Sequence, residues 1–239
     1  MSRNLVLIIV VVLCAIIAAT TATAVVVFLK PLRTTTVNPG GSTIVEVSPA
    51  DEDSDTIIPG QPPEILSSMK ILPFNLIDQD GNPVDETMLD GKVTIVDFIF
   101  TRCPGPCPLM TSEMRRVQQK LEGTGVQIAS FSVDSDYDTP EVLRQYAATN
   151  GADLSTWTFV TGDANQIADL AIKGLGFALE KSDPSPGVAS DGPNILHPTH
   201  FILVGPDRQI LAIAGIGNQA HIDLLVEGAR RLAAGLEGG

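Results

Sequence analysis

Cys103 and Cys107, four residues apart, are the side chains in this sequence best placed to do chemistry. The remaining cysteine, Cys14, lies inside a long apolar block and reads as a buried apolar residue, so these two form the only pair outside it. A four-residue spacing puts two side chains on one face of a helical turn, with Cβ atoms ~5–6 Å apart. Two thiols held that way can bind one soft ion, or close a disulfide after modest adjustment. They stand where an apolar strand hands over to a helix, and a helix N-terminus favours thiolate, the form that ligates metals and attacks disulfides. Pro104, Gly105, Pro106 and Pro108 stiffen the loop and remove amide donors. A purely stabilising disulfide across so short a loop would add little entropy-based stability. The C-terminal end of a strand is where α/β folds carry ligands. The pair therefore points to metal or redox chemistry. Thiolates suit copper(I) and also zinc, and the spacing alone does not choose among these uses.

Further candidates surround the pair. His197 precedes an apolar strand that begins near Phe201, while His200 and His221 read as packing or solvated residues. Asp134, at the end of another strand, could orient a ligand or close a turn. Arg102 could stabilise a neighbouring thiolate or lie exposed, and Trp157 reads as core.

The elements that must position these groups follow from pattern. Ile71–Ile77 reads as a strand turned into a hairpin at Asp80-Gly81-Asn82. Val93–Phe100 is an almost continuous apolar run, as in a strand covered on both faces. The cysteines and a helix over 108–121 follow, then a strand over 126–133 and a helix opening at Asp138-Thr139-Pro140-Glu141. Next come a strand at 156–160, a helix over 163–175, a polar loop over 182–194, and strands at 201–204 and 209–214. A closing helix spans 220–234, its apolar face drawn through Ile222, Leu225, Ala229 and Leu232. Strands alternating with helices give βαβ units and a sheet covered on both faces. The expected class is α/β, a thioredoxin-like fold, with the metal or redox site exposed at a sheet edge.

The chain divides into three segments. No charged residue occurs between Leu5 and Leu29, a run of roughly 37 Å as a helix, enough for the hydrocarbon core. Residues 1–33 therefore read as an N-terminal membrane anchor, with a transmembrane helix over about 5–29. A cleaved signal peptide ending near Ala22-Thr23-Ala24 is the competing reading, and the run is long for it. Residues 34–68 are rich in Thr, Pro, Gly and acids, and read as a flexible tether. Residues 69–239 form the expected globular domain. A net charge of −13 excludes nucleic-acid binding, which needs a basic face.

The segments DQDGNPV, DGKVTIVDFIFTRCPGPCP, FSVDSDYDTPEVLRQYA, WTFVTG and HPTHFILVGPD run in order from about Leu72 to Asp207. In these the sequence resembles the Sco/SenC proteins, membrane-anchored copper-delivery proteins that serve cytochrome c oxidase assembly. The resemblance implies a thioredoxin-like fold and a copper ion held by the two cysteines and a distal histidine. Counting back from Gly205-Pro206 places that histidine at His197. It also implies a soluble domain on the exoplasmic, periplasm-like side of a membrane. The partner would be the copper-binding subunit of cytochrome c oxidase or another copper acceptor. Copper chaperoning involves no turnover in the ordinary enzymatic sense. The alternative on the same residues is a thiol-disulfide oxidoreductase that reduces an acceptor's cysteines, with Cys103 attacking. Pro198-Thr199 before a strand fits that alternative, whereas three intervening residues rather than two argue against it. A peroxide-reducing relative is the weakest reading.

Overall fold

The computed structural model describes residues 64–103, 105–182 and 194–237. The apolar run over 5–29, nearly all of the tether and most of the loop over 182–194 lie outside them. Among the described residues no helix is long and apolar enough to cross a membrane.

The elements in chain order are α1 (Glu64–Ser67), β1 (Asn75–Asp78), β2 (Pro83–Asp85), a 3-10 turn (Glu86–Leu89), β3 (Thr94–Ile99) and α2 (Cys107–Lys120). They continue with β4 (Gln127–Ser132), α3 (Pro140–Thr149), β5 (Trp157–Thr161) and α4 (Ala164–Asp169), which runs on into a π turn (Leu170–Gly174). Then follow β6 (Glu180–Ser182), β7 (Asn194–Leu196), β8 (His200–Val204), β9 (Ile210–Gly215) and α5 (Gln219–Glu237). Seven strands make one sheet in the order β2-β1-β5-β4-β3-β8-β9, and β6 pairs with β7 apart from it. β3, β4 and β5 are parallel, and β8 joins β3 antiparallel.

All six residues of β3 are buried, because helices cover both faces of the sheet. Period-2 alternation sends Ile95 and Ile99 to one core with Met110, Met114 and Val117 of α2, and Val96 and Phe98 to the other with Ile167 and Leu170. Asp97 shares the parity of Ile95 and Ile99 and therefore faces the α2 layer. Ser130 on β4 and Trp157 on β5 face the same way by the same rule.

Three elements depart from the sequence reading. The first strand starts at Asn75 rather than Ile71, because Pro73 has no N–H to give a ladder. A short β6–β7 ribbon brackets what the composition marks as loop. On α5 the core stripe passes through Ile222, Leu225, Val226, Ala229 and Ala233, leaving Leu232 exposed. Positions 222, 226, 229 and 233 keep the helical repeat, and 232 lies one residue round the helix from it.

Candidate metal centre

Cys103 follows the C-terminal end of β3 in a turn closed by its amide onto the Phe100 carbonyl at 3.3 Å. Cys107 is the first residue of α2, entered through Pro106, which has no N–H to leave unpaired. His197 comes from the opposite direction, in the segment linking β7 to β8, and β8 lies beside β3. The strand order thus delivers the histidine to the cysteines across 90 residues of chain.

The two sulfurs and an imidazole nitrogen all lie within 4.8 Å of one another. Cys107 Sγ is 3.2 Å from His197 Nε2. His197 Nδ1 is 3.0 Å from the Pro198 carbonyl oxygen, and a carbonyl only accepts, so Nδ1 carries the proton. In a neutral ring this leaves the Nε2 lone pair facing the thiols. Phe100 sets its edge against the imidazole at 5.5 Å and fixes the ring plane. The hydrogen bond from the Cys107 thiol holds Cys103 well below the ordinary thiol range, against burial, with His197 and then the amides of Cys107 and Gly105 assisting. The same sharing, together with burial, pushes Cys107 up. The site is therefore an asymmetric pair, with thiolate character at Cys103.

All three groups are buried, at 9% exposure for Cys103, 0% for Cys107 and 6% for His197. This corrects the expectation of an exposed sheet-edge site: β3 is an interior strand, and α2 and the β7–β8 segment close over its end. The chain neighbours Leu109 and Leu196 are exposed, so apolar side chains lie close to these residues in sequence.

The other candidates fall elsewhere. Arg102 turns from the thiols to Asp134, with Nε–Oδ2 at 2.7 Å, and lies over the Tyr137 ring. Asp134 takes this ion pair and closes the following turn, its carbonyl accepting from the Tyr137 and Asp138 amides. Among the described residues its carboxylate pairs with Arg102 and Lys181. His200 stacks on Phe177. The His221 amide bonds to the Asn218 side chain at the start of α5. Trp157 is core, stacked on Phe159.

The carboxylate that does face the centre is Asp97, which sequence reasoning missed. It is wholly buried, and burial raises its pKa to about 7, offset by the Ser130 hydroxyl and by His197. Ser130 Oγ donates to Asp97 Oδ1 at 2.5 Å and accepts from Trp157 Nε1 at 2.9 Å. The signal was available, since an acid in the middle of VTIVDFIF breaks an apolar run. Ser130→Ala strips both partners at once and is expected to cost about 2–4 kcal/mol in chemical denaturation.

The SCO1/SenC family profile matches residues 64–232. The chain belongs to the SCO1/SenC family. A SCO1 protein homolog of Bacillus subtilis is 34% identical over 160 residues, covering 65% of this chain and 79% of that one. Among solved structures, a SCO1/SenC family lipoprotein of Bacillus anthracis aligns with TM-score 0.61 at 28% identity, over 70% of this chain and 96% of that one. BsSco, described as a member of the Sco family of cytochrome c oxidase assembly proteins and as having a disulfide switch, aligns at 0.57 and 33% identity, over 69% and 95%. Yeast Sco1 with copper bound aligns at 0.55 and 25% identity, over 67% and 87%. The mixed sheet and covering helices of this SCO1/SenC chain are the thioredoxin-like fold expected from its sequence.

Proposed function

We propose that this chain binds one copper(I) ion through Cys103, Cys107 and His197 and delivers it to a copper acceptor during cytochrome c oxidase assembly. The observation that carries the reading is the convergence of two thiols and an imidazole nitrogen in one buried space. Two soft sulfurs and one nitrogen suit three-coordinate copper(I). Structural zinc takes four ligands, and among the described residues the group comprises these three. Metal–ligand bonds of ~2.0–2.3 Å hold donor atoms up to about 4 Å apart, so the 4.8 Å spread needs a shift of under about 1 Å. The copper-bound yeast relative and the assembly role given for BsSco support the same assignment.

The reduced chain, titrated with copper(I) against a chromophoric chelator, is expected to saturate at one ion, with both thiols then protected from alkylation. Thiols that stay alkylable at saturation would sink the reading.

A second reading is favoured by the asymmetry of the pair. Cys103 is both the more acidic and the less buried thiol, as an attacking thiolate should be. It would attack an acceptor's disulfide and form a mixed disulfide, which Cys107 would then resolve, the acceptor leaving with two thiols and this chain with a Cys103–Cys107 disulfide. Rapid reduction of an acceptor disulfide by the copper-free chain would establish it. We also propose that residues 1–33 anchor the chain and residues 34–68 tether its domain on the exoplasmic side. Protease added outside intact cells or spheroplasts should then release residues 69–239, whereas a cytoplasmic domain would resist.

A further inference from the structure

Asp134 has no exposed side-chain surface, yet it is tied from two directions. Oδ2 accepts from Arg102 Nε at 2.7 Å, and Oδ1 lies 3.5 Å from Lys181 Nζ. Arg102 is the neighbour of Cys103. Lys181 stands on β6 in register with Ile195 of β7, two residues before His197. One carboxylate thus grips both chain segments that carry the ligands. The turn that holds it is itself fixed: the Tyr137 and Asp138 amides bond to the Asp134 carbonyl at 2.9 Å, and Asp138 accepts from Thr101 and Ser132. Lys181 adds a contact to Asp136 at 3.4 Å.

We propose that Asp134 is a positioning residue that clamps the β6–β7 ribbon, through Lys181, to the cysteine loop, through Arg102, and so sets the approach of His197 to the two thiols. The ribbon needs such a tie. It has three residues in each strand and no pairing with the main sheet, and an isolated two-stranded ribbon is marginal in water. Exposed ion pairs contribute little. Here the acid is buried, and losing Lys181 leaves Oδ1 without its cation while Oδ2 stays paired with Arg102. The Lys181 arm holds only the ribbon, and its effect on metal must therefore pass through His197. This inference rests on the copper reading.

Lys181 is half exposed, and Lys181→Met keeps the aliphatic stem, so the variant is expected to fold. Copper(I) affinity is measured by chelator competition for wild type, Lys181→Met, His197→Ala and the double variant. Amide exchange at Asn194–Leu196 is measured on the metal-free proteins. Lys181→Met should weaken copper(I) binding about tenfold, the scale of losing an outer partner of a metal site. It should have no further effect once His197 is gone. Amide exchange in β7 should rise, and Lys181→Arg should restore both properties. An equal loss in both backgrounds, or no loss, would overturn the proposal. Should wild type bind no copper(I), the metal reading falls by itself. Exchange then decides the clamp: faster exchange in Lys181→Met keeps it, and unchanged exchange refutes it.

Discussion

His197→Ala is expected to weaken copper(I) binding by more than about 100-fold, beyond the 10–100-fold typical of losing an outer partner. Among the described residues the site supplies few donors, so the imidazole is one proposed ligand of three rather than one of many. Its Nε2 is already aimed at the thiols by the Nδ1 bond to Pro198 and by the Phe100 edge. Little reorganisation is needed on binding, and the full bond is therefore lost with the ring. Chelator competition on the reduced chain checks this, with the stability of the metal-free variant measured in parallel. Unchanged affinity in a folded variant would leave the cysteines as the whole site.

Asp97→Asn is expected to stabilise the reduced, metal-free protein at pH 8 by about 2–4 kcal/mol. The folded carboxyl titrates at about 7 because burial disfavours its charge, against about 3.9 when unfolded. Between these values the folded state binds more protons than the unfolded one. This group's contribution is therefore most favourable in acid, falls as pH rises through roughly 4 to 7, and stays flat above. Asparagine has no such slope and still accepts from Ser130. Urea denaturation of both proteins at pH 5 and pH 8 should show the gap opening with pH. Parallel curves would mean that the carboxyl is not held neutral.

Much of the site was legible because its chemistry is local. Four-residue spacing and a strand-to-helix handover identify Cys103 and Cys107 without any fold. His197 was picked out by the family resemblance, and the fold supplies the reason it is near, since β8 lies beside β3. What sequence left unread is side-chain direction. Arg102 is adjacent to Cys103 in sequence yet turns to Asp134, because a buried carboxylate attracts it more strongly than a shared thiol pair can. Asp97 was hidden by its strand, where the apolar pattern says "buried" and says nothing of one acid's partners. Leu232 shows the limit of reading a helical stripe by eye, since an error of one residue rotates a side chain by about 100°. The β6–β7 ribbon gave no pattern at all, its strands being too short for alternation to register.

The separation between the proposed ligands has a consequence for how copper and folding would be coupled. An unfolded chain still holds Cys103 and Cys107 four residues apart, while His197 is 90 residues from Cys107. Both folded and unfolded states can thus offer two sulfurs, and only the folded state offers the nitrogen. A ligand stabilises a fold only by the difference in its affinity for the two states. The rise in melting temperature on adding copper(I) therefore reads out the histidine's share of the binding, not the total. A chain emerging unfolded could already carry the ion on its cysteine pair, and closing the sheet would then complete the coordination.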